Sequence, residues 1–108
     1  MCDKNMNKNK WMRINNTLRN RKIHHDQAKH INCVRFHPKE SFKQRMKKCE
    51  IASKLYSDGI PFLTEAWTAD RKKRFDILDL ENDIDYEITT DVAKELKKTY
   101  KGDKIVKI

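Results

Sequence analysis

The chain has 108 residues, with 25 Lys and Arg against 16 Asp and Glu, a net charge of +9 and 37% hydrophobic residues, which allows one compact domain. No stretch approaches the ~20 apolar residues of a membrane-spanning helix, and residues 1–13 lack the apolar core of a signal peptide, so we expect no membrane partner. The chain has an odd number of cysteines, Cys2, Cys33 and Cys49, and their spacing is not that of a disulfide framework. This predicts a reducing, cytoplasmic setting.

Residues 1–36 are predicted to form a basic N-terminal extension to a domain over residues 37–108. Trp11, Ile14 and Leu18 have the spacing of a short helix, but an intervening Asn-Asn pair disfavours it. We therefore expect the extension to be partly flexible or to become ordered on binding. Trp11 is more easily explained as a packing anchor than as a platform for a nucleobase.

Positive charge is concentrated in the first half of the chain. Residues 1–48 carry 14 Lys and Arg against 3 acids, a net of +11, whereas residues 49–108 carry 11 against 13, a net of −2. A basic segment attached to an acidic patch suits a protein that grips a polyanion and brings a cation to it. A solubilising tail beside a solvated acidic hairpin is the simpler alternative. A protein-interaction module whose acidic hairpin meets a basic partner is a third.

The first clear helix is predicted over residues 39–57. Pro38 suits the first turn of a helix, and Gly59 follows in the position of a C-terminal stop. Apolar residues recur at helical spacing and predict the buried face, with Cys49 in the core. These residues are Phe42, Met46, Cys49, Ala52, Leu55 and Tyr56.

Three short stretches with strand character follow, at residues 60–68, 74–80 and 84–89. The third alternates apolar and polar residues, as does a strand with one buried face. A short helix is predicted between residues 90 and 102, and residues 104–108 are predicted to form a final strand. The order helix, three strands, helix, strand predicts an α/β domain with a mixed sheet.

The second and third predicted strands are close enough in sequence to form a hairpin, and the hydrophobic pattern selects its register. With an even-length turn centred on Glu81 and Asn82, one face of the hairpin is mostly apolar. That face pairs Phe75 with Ile88, Ile77 with Tyr86 and Asp79 with Ile84, and the opposite face pairs Arg74 with Thr89, Asp76 with Glu87 and Leu78 with Asp85.

This register makes Asp76 and Glu87 cross-strand neighbours, about 5 Å apart. Like charges at this distance destabilise a sheet, so we expect a divalent metal, a basic side chain or a raised pKa to compensate. Two such carboxylates suit Mg²⁺ or Mn²⁺, which prefer oxygen ligands. Glu50 would add a third ligand if the predicted helix packs over the sheet edge, and an ion pair with Lys54 is the alternative.

With an acid on the first helix, an Asp on the second strand and a Glu on the third, the chain resembles the PD-(D/E)xK, or restriction-endonuclease-like, nucleases. The similarity is to their small members, of the archaeal Holliday-junction-resolvase and viral-nuclease kind, and it covers about residues 38–108. The matching segments are Pro-Lys-Glu-Ser at 38–41, Leu-Thr-Glu-Ala at 63–66, Arg-Phe-Asp-Ile-Leu-Asp at 74–79 and Tyr-Glu-Ile-Thr at 86–89.

The resemblance implies a restriction-endonuclease-like αβββαβ core that hydrolyses phosphodiester bonds in DNA. It implies that Asp76 and Glu87 hold Mg²⁺ or Mn²⁺, with Glu50 or Glu65 as the additional acid. Small nucleases of this type often act as homodimers, because two strands need two active sites. A viral member would act in the host cytoplasm.

One position departs from the family pattern. The third strand usually reads Glu-x-Lys, and here the lysine is replaced by Thr89, which cannot bring positive charge to a phosphate under attack. A lysine of the following predicted helix, of which Lys94 is nearest, could take over the role. The alternative is a domain that keeps the fold and binds nucleic acid without cleaving it.

A run of four cations leads into the strand that carries Asp76. We predict that this run contacts nucleic-acid phosphates together with two cations of the N-terminal extension, and a solvated hairpin tip is the alternative. The predicted contacts are Arg71, Lys72, Lys73, Arg74, Lys22 and Arg35.

His30, Cys33 and His37 approach the spacing of zinc ligands. Structural zinc sites usually have a tighter pattern of two paired ends. We therefore favour the alternative, a set of polar residues in a basic loop.

Overall fold

The computed structural model describes residues 8–89 and 104–107. Two α-helices, one 3₁₀ helix and four strands lie in these ranges: α1 (Lys8–Asn20), a 3₁₀ helix (His25–His30), α2 (Phe42–Ser57), β1 (Phe62–Trp67), β2 (Arg74–Asp79), β3 (Ile84–Thr89) and β4 (Lys104–Lys107). The short helix predicted between residues 90 and 102 lies outside the described residues. Neither helix α1 nor α2, nor the 3₁₀ turn, has the length and apolar character that a membrane span requires.

The four strands form one mixed sheet in the order β1-β2-β3-β4. The pairs β1–β2 and β2–β3 are antiparallel, because each is joined by a short turn, whereas β3 and β4 are parallel. The predicted α/β class with a mixed sheet is thereby confirmed. Strand β3 has the predicted bounds, and β1 and β2 are slightly shorter than predicted.

The sheet buries both of its faces. Neighbouring residues of a strand point to opposite sides, and Phe62 and Leu63 accordingly belong to different clusters of buried side chains. On the α1 side the buried residues are Ile14, Ile31, Leu63, Ala66, Phe75, Leu78 and Leu80. On the α2 side they are Ala52, Leu55, Phe62, Ile77 and Ile88.

The described part of the N-terminal segment, which the sequence analysis treats as an extension, packs on this sheet. Ile14 is fully buried, and Trp11 packs against the same cluster. Ile23 forms a β-bridge with Thr68. Residues 8–36 therefore supply one layer of the core, and the interpretation of Trp11 as a packing anchor is confirmed.

Helix α2 begins later than predicted because Ser41 caps it. The Ser41 hydroxyl accepts a hydrogen bond from the Gln44 N–H, and the Gln44 side chain accepts one from the Ser41 N–H. This reciprocal capping box fixes Phe42 as the first helical residue. At the other end Gly59 has a φ of +72°, a left-handed conformation that favours glycine and that ends the helix as predicted.

The predicted buried face of α2 is only partly correct. Ala52 and Leu55 are buried as predicted, and Lys48 lies buried beside them at helical spacing. The side chains of Phe42, Met46 and Tyr56 are exposed by 73%, 55% and 66%, and Cys49 is exposed rather than in the core. The reason is electrostatic, because the buried Lys48 ammonium group meets two carboxylates of other segments and fixes the rotation of the helix.

The predicted division of the hairpin faces is also only partly correct. Phe75 packs with Leu78 on the α1 side and not with Ile77. Glu65, level with Asp76 on the neighbouring strand, has a left-handed φ of +51°, so strict alternation is interrupted at this level. The opposite face of the hairpin, which carries Leu78 and Asp85, is covered too, since Leu78 is fully buried.

Candidate metal centre

The turn between β2 and β3 fixes the hairpin. The Asp79 carboxylate accepts hydrogen bonds of 2.9 Å from the N–H groups of Glu81 and Asn82, as short polar side chains commonly do in turns. The strands then pair with the predicted register: Ile77 with Tyr86, Leu78 with Asp85 and Asp79 with Ile84.

Continuing this register by one pair brings Asp76 level with Glu87. The Asp76 Oδ2 atom accepts a hydrogen bond of 2.9 Å from the Ile88 N–H, so the side chain of Asp76 takes the place of a main-chain bond between the strands. The carboxylate of Asp76 is thereby held at the β2–β3 junction. The two acids that the sequence predicted to converge lie in contact.

Glu87 is a strongly perturbed titratable group at this junction. Its pKa is raised from 4.5 to about 10, first by burial and then by hydrogen bonds and charge repulsion with Asp85 and Asp76. A carboxyl group with such a pKa keeps its proton at neutral pH and donates it to a neighbouring carboxylate. A raised pKa is one of the compensations that the sequence predicted.

A second set of charges adjoins these acids on the α2 side. The Lys48 ammonium group, on a side chain with no solvent exposure, lies 2.5 Å from Glu65 Oε1 and 2.7 Å from Glu40 Oε1. It also donates to the Arg35 carbonyl at 3.1 Å. Burial opposes ionisation of Glu40, but the hydrogen bonds from Lys48 and from the His37 N–H outweigh it and lower the pKa of Glu40.

Arg74 connects the two sets. Its guanidinium group is hydrogen-bonded to Glu65 Oε2 and lies 3.7 Å from Asp76 Oδ1. Burial would lower the pKa of Arg74, but the hydrogen bond and charge of Glu65 and the charge of Asp76 raise it. Arg74 thus stays a cation and neutralises part of the charge on Glu65 and Asp76.

The resulting carboxylate cluster has more acids than cations. Its acids are Glu40, Glu65, Asp76, Asp85 and Glu87, and the cations in contact with them are Lys48 and Arg74. Among the described residues, the four acids other than Glu87 outnumber the two cations in direct contact with them, and the charge of Arg35 also interacts with Glu65. Such a surplus of oxygen donors is the chemical complement of a hard divalent cation.

Glu50 does not join the cluster. The structure places it on the exposed side of α2, where its carboxylate lies 3.0 Å from the Lys47 ammonium group. The rotation of α2 that buries Lys48 turns Glu50 to solvent, so the predicted third ligand is corrected. The alternative pair with Lys54 does not form either, since Lys54 lies 3.8 Å from Asp58.

Two of the predicted phosphate-binding cations have other surroundings. The Arg35 guanidinium group donates to Gln27 Oε1 at 2.7 Å and to the Thr64 carbonyl at 2.6 Å, so acceptors of the protein itself already engage it. Arg74 binds the carboxylate cluster as described. Lys94, the predicted substitute for the missing lysine, lies outside the described residues.

The predicted zinc ligands do not come together. The His37 Nδ1 atom accepts a hydrogen bond from the Lys39 N–H, and the Cys33 thiol lies 3.8 Å from the Ile31 carbonyl. In the described part of the chain, a different group has the spacing of metal ligands. It consists of His24, His25 and Asp26, whose ligand atoms lie within 4.8 Å of one another.

Three members of the cluster, Lys48, Glu40 and Asp85, were not predicted from the sequence. Lys48 reads as one of two adjacent lysines in a basic helix. One signal was present, because Lys48 precedes Ala52 by four residues and therefore lies on the same side of the helix. No signal linked it to Glu65, which is 17 residues away.

No protein-family model, curated protein or solved structure matches this chain.

Proposed function

We propose that the protein is a metal-dependent nuclease that hydrolyses phosphodiester bonds in DNA, on a restriction-endonuclease-like core. The observation that carries the proposal is the crowding of Glu87 against Asp76 and Asp85, which raises the pKa of Glu87 to about 10. Strongly perturbed carboxyl groups of this kind concentrate at catalytic and metal-binding sites. The described order, α2 followed by three antiparallel strands and a parallel β4, supports the core that the resemblance implies.

The carboxylate oxygens of Asp76 and Glu87 are the donor type that the implied metal prefers, although among the described residues no three acids of the carboxylate cluster bring ligand atoms within 4.8 Å of one another. Asp76 and Glu87 would hold Mg²⁺ or Mn²⁺ through carboxylate oxygens, and Glu65 is the additional acid, because Arg74 joins it to Asp76. When bound, such an ion lowers the pKa of a coordinated water and neutralises charge on the phosphate. Since ligand carboxylates must be ionised, metal binding would release the proton of Glu87.

The chain's own residues prepare this chemistry. The Ile88 N–H orients Asp76, and rigid orientation of a ligand contributes to metal affinity and activity. Arg74 brings a cation to the β2–β3 junction, where Thr89 replaces the lysine of the related pattern. The guanidinium group is therefore our candidate for the positive charge that stabilises the attacked phosphate.

The test is a cleavage assay with labelled single-stranded, duplex and branched DNA in Mg²⁺ or Mn²⁺. We expect cleavage by the wild-type protein and at least about a 100-fold loss in Asp76→Asn and Glu87→Gln, since losing a partner one shell further from a metal already costs 10–100-fold. Asp58→Asn and Glu50→Gln are the matched controls, because they remove exposed carboxylates of α2 that do not touch the cluster. Both should cleave normally.

Two results would overturn the proposal. One is a wild-type protein that leaves every form of DNA intact in both metals. The other is an Asp76→Asn variant that cleaves at the wild-type rate. Calorimetric titration with Mn²⁺ separates loss of metal binding from loss of chemistry.

A second candidate function is nucleic-acid binding without cleavage. It is favoured by the contacts of Arg74, which partly neutralise Glu65 and Asp76, and by Thr89 in the position of the usual lysine. DNA binding that is salt-sensitive, survives Asp76→Asn and is accompanied by no cleavage would support this candidate.

A further inference from the structure

A basic pocket lies where the end of α1 meets the β1–β2 turn, and its lining includes no member of the carboxylate cluster. It has a volume of about 520 Å³, and its charged lining consists of Arg21, Lys22, Lys72 and Lys73 with Asp70 and Asp83. Two basic segments, 21–22 and 71–73, form it although about fifty residues separate them in sequence. The fold therefore assembles a concentration of positive charge that neither segment has alone.

Main-chain and side-chain bonds hold the two segments together. The Ala69 N–H donates to the Lys22 carbonyl at 2.8 Å. Asp70 accepts from the Thr68 hydroxyl at 2.6 Å and from the Lys72 N–H at 3.0 Å. The turn that carries the lysines is thus fixed at both ends, unlike a solvated hairpin tip.

Phe75 positions two of the cations. The Arg21 guanidinium carbon lies 5.6 Å from the ring centroid and the Lys73 ammonium group 4.7 Å from it, within the range of cation–π contacts. The ring of Phe75 is itself buried. The cations are therefore held in place before any ligand binds, which lowers the entropic cost of binding an anion.

The two acids of the pocket are already engaged. Asp83 accepts from the Arg21 guanidinium group at 2.6 Å. The Thr68 hydroxyl and the Lys72 N–H, with the charges of Lys72 and Lys22, lower the pKa of Asp70. Among the described residues, no carboxylate lies within ion-pair distance of the Lys22 or Lys72 ammonium group.

We infer that the basic pocket binds a phosphate group of a nucleic-acid strand, at a point distinct from the site of hydrolysis. The inference rests on the proposed function for the identity of the polyanion. Lys73 precedes Asp76 by three residues in an extended segment, so their Cα atoms are roughly 10 Å apart. Phe75, which lines the pocket, directly precedes Asp76 in β2. A strand that reaches Asp76 can therefore continue over the β1–β2 turn into the pocket.

The test is the salt dependence of oligonucleotide binding, measured by fluorescence anisotropy in EDTA. The double variant Lys22→Gln/Lys72→Gln removes two charges of the pocket. We expect the slope of log K against log salt to become shallower by roughly 0.9 for each lost contact with a duplex, and the affinity at about 100 mM salt to fall severalfold. The matched control is Lys39→Gln/Lys43→Gln, which removes two exposed lysines near the start of α2.

The controls decide between local and general electrostatics. Equal losses in both double variants, or an unchanged slope in Lys22→Gln/Lys72→Gln, would overturn the inference. Inorganic phosphate at matched ionic strength should not displace the oligonucleotide, and displacement would reassign the pocket to free phosphate. EDTA prevents metal-dependent cleavage, so the anisotropy experiment reports only binding at the pocket. Failure of the proposed hydrolysis is seen separately, in the cleavage assay with Mg²⁺ or Mn²⁺.

Discussion

Replacing Glu87 by Gln should stabilise the metal-free protein, and increasingly so as the pH rises. The folded protein holds the Glu87 proton up to about pH 10, whereas a carboxyl group with the ordinary pKa of 4.5 loses it in the unfolded chain. Between these values the folded state binds one more proton than the unfolded state, so the free energy of unfolding falls by about 1.4 kcal/mol per pH unit. At pH 7 the accumulated cost is about 3 kcal/mol. Glutamine keeps the shape and the hydrogen-bonding ability of the protonated acid without this cost.

The assay is urea unfolding of both proteins in EDTA at several pH values between 5 and 8. The stability of the wild-type protein relative to Glu87→Gln should decline steadily across this range. Glu50→Gln is the control, because Glu50 is an exposed carboxylate paired with Lys47, and its difference from wild type should stay within about 0.5 kcal/mol. Adding Mg²⁺ at pH 8 should restore stability to the wild-type protein by mass action and have little effect on Glu87→Gln.

A difference between wild type and Glu87→Gln that does not change with pH would refute this reasoning. It would mean that Asp76 and Asp85 do not crowd Glu87. The charge surplus on which the metal centre depends would then be absent.

Three further substitutions test the scaffold around the cluster. Lys48→Met should destabilise the protein by about 3–5 kcal/mol in urea unfolding, because it leaves buried carboxylates without their cation; Lys54→Met, at an exposed pair, should cost less than about 1 kcal/mol. Ser41→Ala removes the capping box and should cost about 1 kcal/mol, seen as a melting temperature lower by roughly 4–8 °C. Gly59→Ala should cost about 1–2 kcal/mol through its left-handed conformation alone, since an added Cβ would approach only the Lys10 ammonium group, at 3.9 Å. An unchanged melting temperature would contradict this.

The β2–β3 hairpin was predictable because its information is local. The alternation of residues 84–89 selects the buried face, and a slip by one residue would exchange the two faces. The register then follows from the short turn, and it predicts the convergence of Asp76 and Glu87 without any long-range information. The structure confirms the three pairs from Ile77 to Asp79.

The orientation of α2 was not predictable from its own sequence. A stripe of apolar side chains that includes Phe42 and Met46 is an ordinary signal for a buried face, whereas an isolated lysine is costly to bury. The cost at Lys48 is met by carboxylates from the segment before the helix and from β1. Helix α1 was not predicted for a similar reason. Packing on the sheet stabilises this helix more than its own helix propensity does.

The lining of the basic pocket includes no member of the carboxylate cluster, and this separation bears on how binding and chemistry would combine. The pocket cations Lys22 and Lys72 and the carboxylate Asp76 share no hydrogen-bond or ion-pair partner among the described contacts. Substitutions that share no partner and lie about 7–10 Å or more apart usually have additive free energies. Loss of charge in the pocket should therefore weaken substrate binding by the same factor in the wild-type protein and in Asp76→Asn. Under the proposed function, the pocket cations would hold the polyanion while the acids of the carboxylate cluster keep the negative charge that attracts a metal.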